Sequence, residues 1–313
     1  MALDVILVLA GIALLYIGGE ALVRGAVALA RSLGWSPLVI GLTVVSFGTS
    51  SPELASTLAA SLRGAPEVAF GNVVGSNIAN VGLILGLTAL IWPLETTGRF
   101  IKQEVPFMLV SSLLLFPLIA NGMIGRLEGL FLFVLLVIFL LYLMRREQED
   151  STVEATFDKE FGGTKLSSAA SIGLVILGIG LLVAGAHALV TGGVNLARIL
   201  GVSERVIGLT LVALGTSLPE LAASLVAGLR KEGDIVLGNI IGSNIFNVLC
   251  ILGITPMVHP LVVDASAVWL DLTAMLVLSL LLWPLLANRL RLERWEGFVL
   301  LAFYGLYIAW LFL

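Results

Sequence analysis

The sequence predicts an all-α membrane protein of ten transmembrane helices, arranged as two inverted five-helix repeats with interrupted helices at the membrane midplane. Three observations predict this fold class: an apolar composition, ten apolar segments and a long internal repeat. Of the 313 residues, 59% are hydrophobic and 12% are charged, and the mean hydropathy is +1.09. A soluble domain has about 25% charged residues. We therefore expect neither a soluble catalytic domain nor a nucleic-acid partner, and the bilayer is the expected environment.

Ten apolar segments are separated by charged or Gly/Pro-rich breaks. A transmembrane helix needs about 20 apolar residues to cross the hydrocarbon core. The predicted spans lie near residues 3–30, 37–62, 67–92, 103–121, 124–144, 168–198, 204–229, 234–258, 262–286 and 295–313. They form two groups of five, at 1–144 and 168–313, joined by a charged connector at 145–167 that is too short to be a domain.

The distribution of lysine and arginine over the predicted loops indicates the orientation of the chain. Cytoplasmic loops of membrane proteins retain these residues, and here they concentrate in the connector and in the loops that share its side. We therefore expect a multi-pass protein of the plasma (inner) membrane, with both termini outside and the connector in the cytoplasm. Asp4 stands where a signal peptide would carry basic residues, so the first span is expected to be retained.

The strongest signal in the sequence is an internal repeat. GLTVVSFGTSSPE at 41–53 recurs as GLTLVALGTSLPE at 208–220, and GNVVGSNIAN at 71–80 recurs as GNIIGSNIFN at 238–247, each 167 residues later. Because each unit holds an odd number of spans, the second unit enters the membrane from the opposite side. Inverted repeats with interrupted helices are typical of secondary transporters, whose substrate sites lie near the midplane.

Two acidic residues of the repeat, Glu53 and Glu220, fall well inside their predicted spans. An isolated carboxylate at that depth costs several kcal/mol and marks a functional site by default. Since no lysine or arginine lies at comparable depth in the spans that carry the motifs, bound cations or protons are the expected counter-charge. The alternative is a protonated glutamic acid that only packs helices.

The residues around each glutamate supply further oxygen atoms. Glycine and proline before each glutamate weaken the helix and free carbonyl groups. Serine and asparagine of the second motif stand at i and i+4, on one helix face. The expected side-chain ligands, besides the glutamates, are Thr49, Ser50, Thr216, Ser217, Ser76, Ser243, Asn80 and Asn247. The alternatives are a kink whose hydroxyls satisfy the backbone and, for the second motif, hydrogen bonding between helices. For Asn72, Asn77, Asn239 and Asn244, which lie off that face, hydrogen bonding between helices is the favoured interpretation.

The chemistry of these ligands favours a hard cation. Oxygen donors without sulfur or imidazole select calcium, sodium or magnesium-like ions, and calcium accepts six to eight flexible oxygens, at about 2.3–2.6 Å, more readily than magnesium does. Two glutamates carry a charge of about −2, which one Ca²⁺ or two monovalent cations neutralise, but not both together in a low dielectric. Mutually exclusive occupancy predicts exchange, and an additional sodium would need only neutral ligands.

At these motifs the chain resembles the calcium:cation antiporters, specifically the compact prokaryotic sodium/calcium exchangers. The resemblance implies that sodium entry drives calcium extrusion, with Na⁺ and Ca²⁺ as substrates and with no cofactor, catalytic residue or obligate protein partner. It implies that Glu53 and Glu220 are the central ligands. It also implies that the backbone carbonyls near Ser46 and Ala213 contribute to outlying sodium sites. Spans one and six resemble the pair of helices that slides to expose the site to each side in turn.

Several alternatives remain open from the sequence. Two buried glutamates can be discharged by protons, so the chain could exchange H⁺ for Ca²⁺. Potassium-dependent exchange is disfavoured by Asn247, since several relatives, including the potassium-dependent branch, carry aspartate there. A passive cation channel is disfavoured by the inverted repeat, and an intramembrane hydrolase using Ser50 or Ser217 lacks a positioned base. Stoichiometry, direction, divalent selectivity and oligomeric state do not follow from the sequence.

Overall fold

The structure is a computed structural model that describes residues 1–149, 166–202 and 213–311. The first half contains α1 (Ala2–Leu33), α2 (Pro37–Thr49), α3 (Ser51–Leu62), α4 (Pro66–Ile91), α5 (Gly98–Ile119) and α6 (Arg126–Glu149). The second half contains α7 (Ser168–Ile199), α8 (Ala213–Gly215), α9 (Leu218–Leu229), α10 (Gly233–Val258), α11 (Ala265–Arg289) and α12 (Arg294–Leu311). The expectation of an all-α chain is confirmed over these ranges apart from four two-residue strands.

Seven of the described helices are long and apolar enough to cross a membrane: α1, α4, α7 and α10 over their full lengths and most of α5, α6 and α11. Taken together, α2 and α3 are also long and apolar enough for an eighth span, with a bend of 42° between them. The chain is therefore a multi-pass membrane protein. Residues 203–212, which hold the first part of the predicted seventh span, and 150–165, which hold most of the predicted connector, lie outside the described residues.

The predicted interruptions occur inside the GTSxPE motifs. Ser50 separates α2 from α3, and its backbone angles (φ −81°, ψ 2°) leave the helical region. Ser217 precedes α9 with nearly the same angles (φ −87°, ψ 6°). Proline follows within the first two positions of each new helix, where its missing N–H costs nothing because that group has no helical partner. The motif thus starts a new helix in the middle of a span, with a glutamate in its first turn.

Within the described residues, the motif helices contain three π-helical segments, which the sequence did not predict. They cover Gly41–Val45 in α2, Asn80–Leu85 in α4 and Asn247–Ile251 in α10. A π-helical turn widens the helix and is found mostly at functional positions. Two of the three begin at the asparagines that end the GNxxGSNIxN motifs.

The core of the bundle is formed by α4 and α10, which carry these motifs. The whole apolar window of α10 is buried, and most of that of α4. Gly238 and Gly242 of α10 bring it against α2, as the motif predicts, since a Cβ atom at Gly242 would lie 2.6 Å from the Leu42 carbonyl oxygen. The corresponding Gly71 and Gly75 of α4 have no described atom within 4 Å of that position. Residues 205 and 209, the counterparts of Leu38 and Leu42, lie outside the described part of the chain.

Two short antiparallel strand pairs join the ends of the bundle. Leu94–Glu95 (β1) pairs with Arg291–Leu292 (β4), and Met123–Ile124 (β2) pairs with Leu261–Val262 (β3). Each pair therefore links a turn of the first half of the chain to a turn of the second half.

Helices α1 and α7 pack against each other along stripes of glycine. The glycines recur every seventh residue on each helix, at Gly11, Gly18 and Gly25 and at Gly178, Gly185 and Gly192. A Cβ atom at Gly178 would lie 2.5 Å from the backbone nitrogen of Leu22, and one at Gly18 would lie 2.8 Å from that of Leu182. Small residues allow the two backbones this close approach in a membrane.

We predict that Gly178→Leu separates α1 from α7 and destabilises the protein. The side chain would meet backbone atoms that cannot move aside, and overpacking of this kind costs about 1–3 kcal/mol. The matched control is Gly180→Leu on the same helix, where no described atom lies within 4 Å. Thermal unfolding in detergent measures both. Equal melting temperatures for the two variants would contradict the predicted packing.

Candidate cation-binding site

The two helix breaks meet, so that each predicted glutamate is bonded to the serine of the opposite break. Ser217 donates a hydrogen bond to Glu53 Oε1 at 3.1 Å, and Ser50 donates one to Glu220 Oε1, also at 3.1 Å. Both glutamates are 1% exposed. Ser217 also lies 3.3 Å, oxygen to oxygen, from Ser76 of α4. The breaks therefore bring four predicted residues of α2–α3 and α8–α9 into one buried cluster.

Each glutamate lies in the first turn of a helix, α3 for Glu53 and α9 for Glu220. The positive end of the helix dipole favours a negative charge there by about 0.3–1 kcal/mol, and by up to about 2 kcal/mol where it is partly buried. A carboxylate at membrane depth costs about 2.5–3.5 kcal/mol or more. The dipoles therefore offset only part of the cost, and a positive counter-charge is still required.

Six buried oxygen atoms of predicted ligands make no hydrogen bond to any described residue. They are Glu53 Oε2, Glu220 Oε2, Asn80 Oδ1, Asn247 Oδ1, Thr216 Oγ1 and Ser243 Oγ. A buried polar atom left unpaired costs about 1–3 kcal/mol. All six atoms can accept, so they are candidate oxygen ligands for a cation.

Two further asparagines hold Asn80 and Asn247 in place. Asn80 Nδ2 donates to Asn244 Oδ1 at 3.0 Å, and Asn247 Nδ2 donates to Asn77 Oδ1 at 2.9 Å. Both amide nitrogens are thus engaged in hydrogen bonds, so the side-chain oxygens of Asn80 and Asn247 remain available to bind a cation. The predicted hydrogen bonding between helices is confirmed for Asn77 and Asn244. The sequence did not indicate that their partners would be the predicted ligands.

Asn72 and Asn239 connect the motif helices to the helices that carry the glutamates. Asn72 Nδ2 donates to Thr57 Oγ1 at 2.9 Å, and Asn239 Nδ2 donates to Ser224 Oγ at 3.1 Å. Asn239 Oδ1 also accepts a hydrogen bond of 3.1 Å from Thr49 Oγ1. The predicted hydrogen bonding between helices is therefore confirmed for Asn72 and Asn239 as well, and Asn239 also fixes the orientation of Thr49, a predicted ligand.

The backbone carbonyls of Ser46 and Ala213 are predicted ligands of outlying sodium sites. The carbonyl of Ser46 already accepts hydrogen bonds from Ser50 N at 2.9 Å and from Thr49 Oγ1 at 3.3 Å. Ala213 is the first residue of α8, and the residues that precede it lie outside the described ranges. The assignment of these carbonyls to sodium sites stays a prediction.

The charge of the cluster comes from its two carboxylates. In the ranges that the structure describes, neither glutamate forms an ion pair with a basic side chain, and no group of three or more His, Cys, Asp or Glu residues could hold a metal ion. The cluster thus combines two negative charges with neutral hydroxyl and amide oxygens. Such a donor set suits calcium and sodium rather than zinc or copper.

Comparisons with known proteins agree over both halves of the chain. The family described as sodium/calcium exchanger protein matches residues 3–145 and 170–313. The putative antiporter CaxA of Alkalimonas amylolytica is 41% identical over 97% of this chain and 98% of its own. The sodium/calcium exchanger MaX1 of Methanosarcina acetivorans is 36% identical over 100% of this chain and 99% of its own.

A solved structure gives the same result for the fold. The sodium-calcium exchanger NCX_Mj, soaked with Na⁺ and Sr²⁺, superposes with a TM-score of 0.85 at 34% identity, over 98% of both chains. The resemblance inferred from the paired motifs is confirmed, and this chain belongs to the sodium/calcium exchanger protein family.

Proposed function

We propose that this protein is a secondary active antiporter that exchanges Na⁺ for Ca²⁺ across the membrane by alternating access. The observation that carries the proposal is the pair of buried glutamates, each of which has one oxygen bonded to the serine of the opposite break and one oxygen unpaired. The family membership and the relatives named as sodium/calcium exchangers support it.

The charge of the site explains why the two ions exclude each other. Two carboxylates hold about −2, which a single Ca²⁺ neutralises. Two Na⁺ neutralise the same charge, and adding them to bound calcium would place about +2 of excess charge in a low dielectric. Calcium leaves when sodium binds, and a further sodium needs only the neutral oxygens.

We assign the ligands by position and charge. Glu53 and Glu220 bind the central ion, and the hydroxyls of Thr49, Ser50, Thr216, Ser217, Ser76 and Ser243 surround it. Asn80 and Asn247 complete the middle with their amide oxygens, and the carbonyls of Ser46 and Ala213 serve the outlying sodium sites. The six unpaired oxygens support this assignment.

We further propose that residues 1–144 and 168–313 are inverted five-helix repeats, which makes ten spans in all. The hydrogen bonds of the site support this, because they occur as pairs related by 167 residues. Ser50 with Glu220 corresponds to Ser217 with Glu53, and Asn80 with Asn244 corresponds to Asn247 with Asn77. A pseudo-two-fold axis through the site accounts for these reciprocal bonds.

The same symmetry supports alternating access. Helices α1 and α7 pack more closely on each other than on the rest of the bundle, so they can move as one pair past a fixed site.

We propose that the protein lies in the plasma (inner) membrane with both termini outside and with the connector at 145–167 in the cytoplasm. The distribution of lysine and arginine supports it.

Isotopic calcium uptake into proteoliposomes distinguishes this function from its alternatives. We predict that an outward sodium gradient drives uptake at least tenfold above background, whereas a proton gradient alone does not, because the neutral hydroxyl and amide oxygens of the site suit Na⁺, while protons would need only the two carboxylates. Uptake that follows only the proton gradient would establish H⁺/Ca²⁺ exchange, and a requirement for potassium would establish the potassium-dependent form. Uptake that needs no counter-ion and produces a current would establish a channel.

We predict that Glu53→Gln and Glu220→Gln each lower calcium exchange more than tenfold while the protein stays folded. Each change removes half of the charge of the site without changing the size of the side chain, and a tenfold loss corresponds to about 1.4 kcal/mol. Glu128→Gln is the control, since Glu128 accepts a hydrogen bond from Gly125 at the start of α6, outside the site. Exchange above a tenth of the wild-type rate would remove the glutamates from their central role.

We predict that Asn247→Asp binds calcium about tenfold more tightly and exchanges it more slowly. The added carboxylate takes the charge of the site from about −2 to about −3, which strengthens binding and hinders release. Asn80→Asp is the matched variant, because the proposed two-fold axis relates the two positions and predicts the same gain. Calorimetric titration at alkaline pH measures the affinities. Unchanged affinity in both variants would show that these side chains do not face the ion.

A further inference from the structure

An ion pair joins the middle of α1 to the end of α9. The guanidinium of Arg230, which follows the last residue of α9, donates through Nε to Glu20 Oε2 at 2.6 Å and through Nη2 to Glu20 Oε1. Two parallel hydrogen bonds of this kind are the strong form of an arginine–carboxylate pair. The side chains are 33% and 25% exposed, so salt screens this pair less than a pair on the open surface.

The ion pair belongs to a wider contact between α1 and α9. At Gly19, a Cβ atom would lie 2.9 Å from Val226 Cγ2 and 3.2 Å from the carbonyl oxygen of Ala222, both on α9. Burial raises the pKa of Glu232 in the turn after α9, and the charge of Arg31 in the last turn of α1 opposes this rise. Helix α1 therefore packs on the helix that carries Glu220 and interacts through charges of both signs with the turn that follows it.

The packing of α1 on α7 obeys the symmetry of the internal repeat. A Cβ atom at Gly18 would lie 2.8 Å from the backbone nitrogen of Leu182. The counterparts of these two residues in the repeat are Gly185 and Leu15, and a Cβ atom at Gly185 would also lie 2.8 Å from the backbone nitrogen of Leu15. The two helices thus form a unit that looks the same from either repeat.

The position of this unit on the rest of the bundle is not symmetric. Ile179 and Val190, both of α7, fill the spaces over Gly48 and Gly215 of the two helix breaks. Symmetry would place Ile12 of α1, the counterpart of Ile179, over Gly215, but Ile12 is exposed. Helix α1 also packs on α9, whereas α7 has no comparable packing on α3 within the described residues. The repeat therefore relates this position to a second one, in which α7 packs on α3 and α1 leaves α9.

We propose that Glu20 and Arg230 form a latch that holds α1 and α7 in the described position. The inference rests on the proposed alternating access and orientation, which place the turn after α9 in the cytoplasm and make this the position closed on that side. In the second position α1 separates from α9, so the latch breaks. Arg24 Nη2 lies 2.7 Å from Glu20 Oε1 on the same helix, so the carboxylate keeps a counter-charge when the latch opens.

The latch has no equivalent in the second position. The counterparts of Glu20 and Arg230 are His187 of α7 and Arg63 at the end of α3. Histidine and arginine never carry opposite charges, so α7 cannot form the corresponding ion pair with α3. The ion pair therefore favours one position of the two helices over the other. Glu20 and Arg230 are positioning residues, which act on exchange by setting the fraction of protein open to each side.

Distances between two spin labels measure these positions without any transport assay. One label is attached at Leu33→Cys, at the end of α1, and the other at Ile91→Cys, at the end of α4 in the core of the bundle. Cys250→Ala removes the one native cysteine. A second pair of labels, at Leu9→Cys on α1 and Leu177→Cys on α7, is the control, because its distance lies within the unit and should stay the same in every variant.

We expect one dominant distance between positions 33 and 91 when the latch is intact. Glu20→Gln and Arg230→Gln should each raise the ratio of the second distance to the first about fivefold, and the two together should raise it no further, because either change alone removes the pair. Arg24→Gln is the matched control, which removes a neighbouring charge without breaking the latch and should not raise the ratio. A ratio that neither Glu20→Gln nor Arg230→Gln changes would overturn the proposal, and so would an equal rise in Arg24→Gln.

A further variant builds the latch into the other repeat. His187→Glu places on α7 a carboxylate that Arg63 can meet only in the second position. We expect this change to raise the same ratio, Arg63→Gln in that background to cancel the rise, and His187→Gln to have no effect. No response to His187→Glu would overturn the symmetry on which the latch depends. Distances that respond in a protein that carries no calcium under a sodium gradient would retain the latch and refute the proposed exchange instead.

Discussion

The structure depends on one constraint, the burial of two carboxylates without a basic side chain from the described residues to neutralise them. Each helix break places a glutamate at the positive end of a new helix, and a serine from the other half of the chain donates a hydrogen bond to it. These interactions recover only part of the cost of burial. In the proposed function a cation supplies the remainder, so that ion binding stabilises the cluster.

The polar groups around the glutamates are divided between two tasks. The amide nitrogens of Asn72, Asn80, Asn239 and Asn247 are used within the protein, where they bind hydroxyls or the amides of Asn77 and Asn244. Carboxylate, amide and hydroxyl oxygens are left without partners. Because these amide donors are consumed and the carboxylate and amide acceptors are not, the cluster favours cations over anions, and its amide network fixes the positions of the predicted ligands.

The surrounding helices form two parts with different packing. Buried α4 and α10 hold the amide network, whereas α1 and α7 contact each other through glycine stripes that bring their backbones together. An apolar groove of about 720 Å³ lies between α7 and α6, and its lining includes Phe47 and Phe246, which adjoin motif segments of the cluster. The groove therefore adjoins both the segments of the cluster and the helix pair proposed to move.

The sequence by itself determined the membrane class, the helix breaks, the glutamate pair and the oxygen-rich ligands. These follow from local rules: the apolar length that crosses a bilayer, the effect of proline on a helix, and the cost of a charge in lipid. Only the tertiary structure decided that Ser50 bonds to Glu220 rather than to Glu53, and that Asn77 holds Asn247. Those contacts join residues 170 positions apart, and they depend on how helices from the two halves are aligned, which no local pattern specifies.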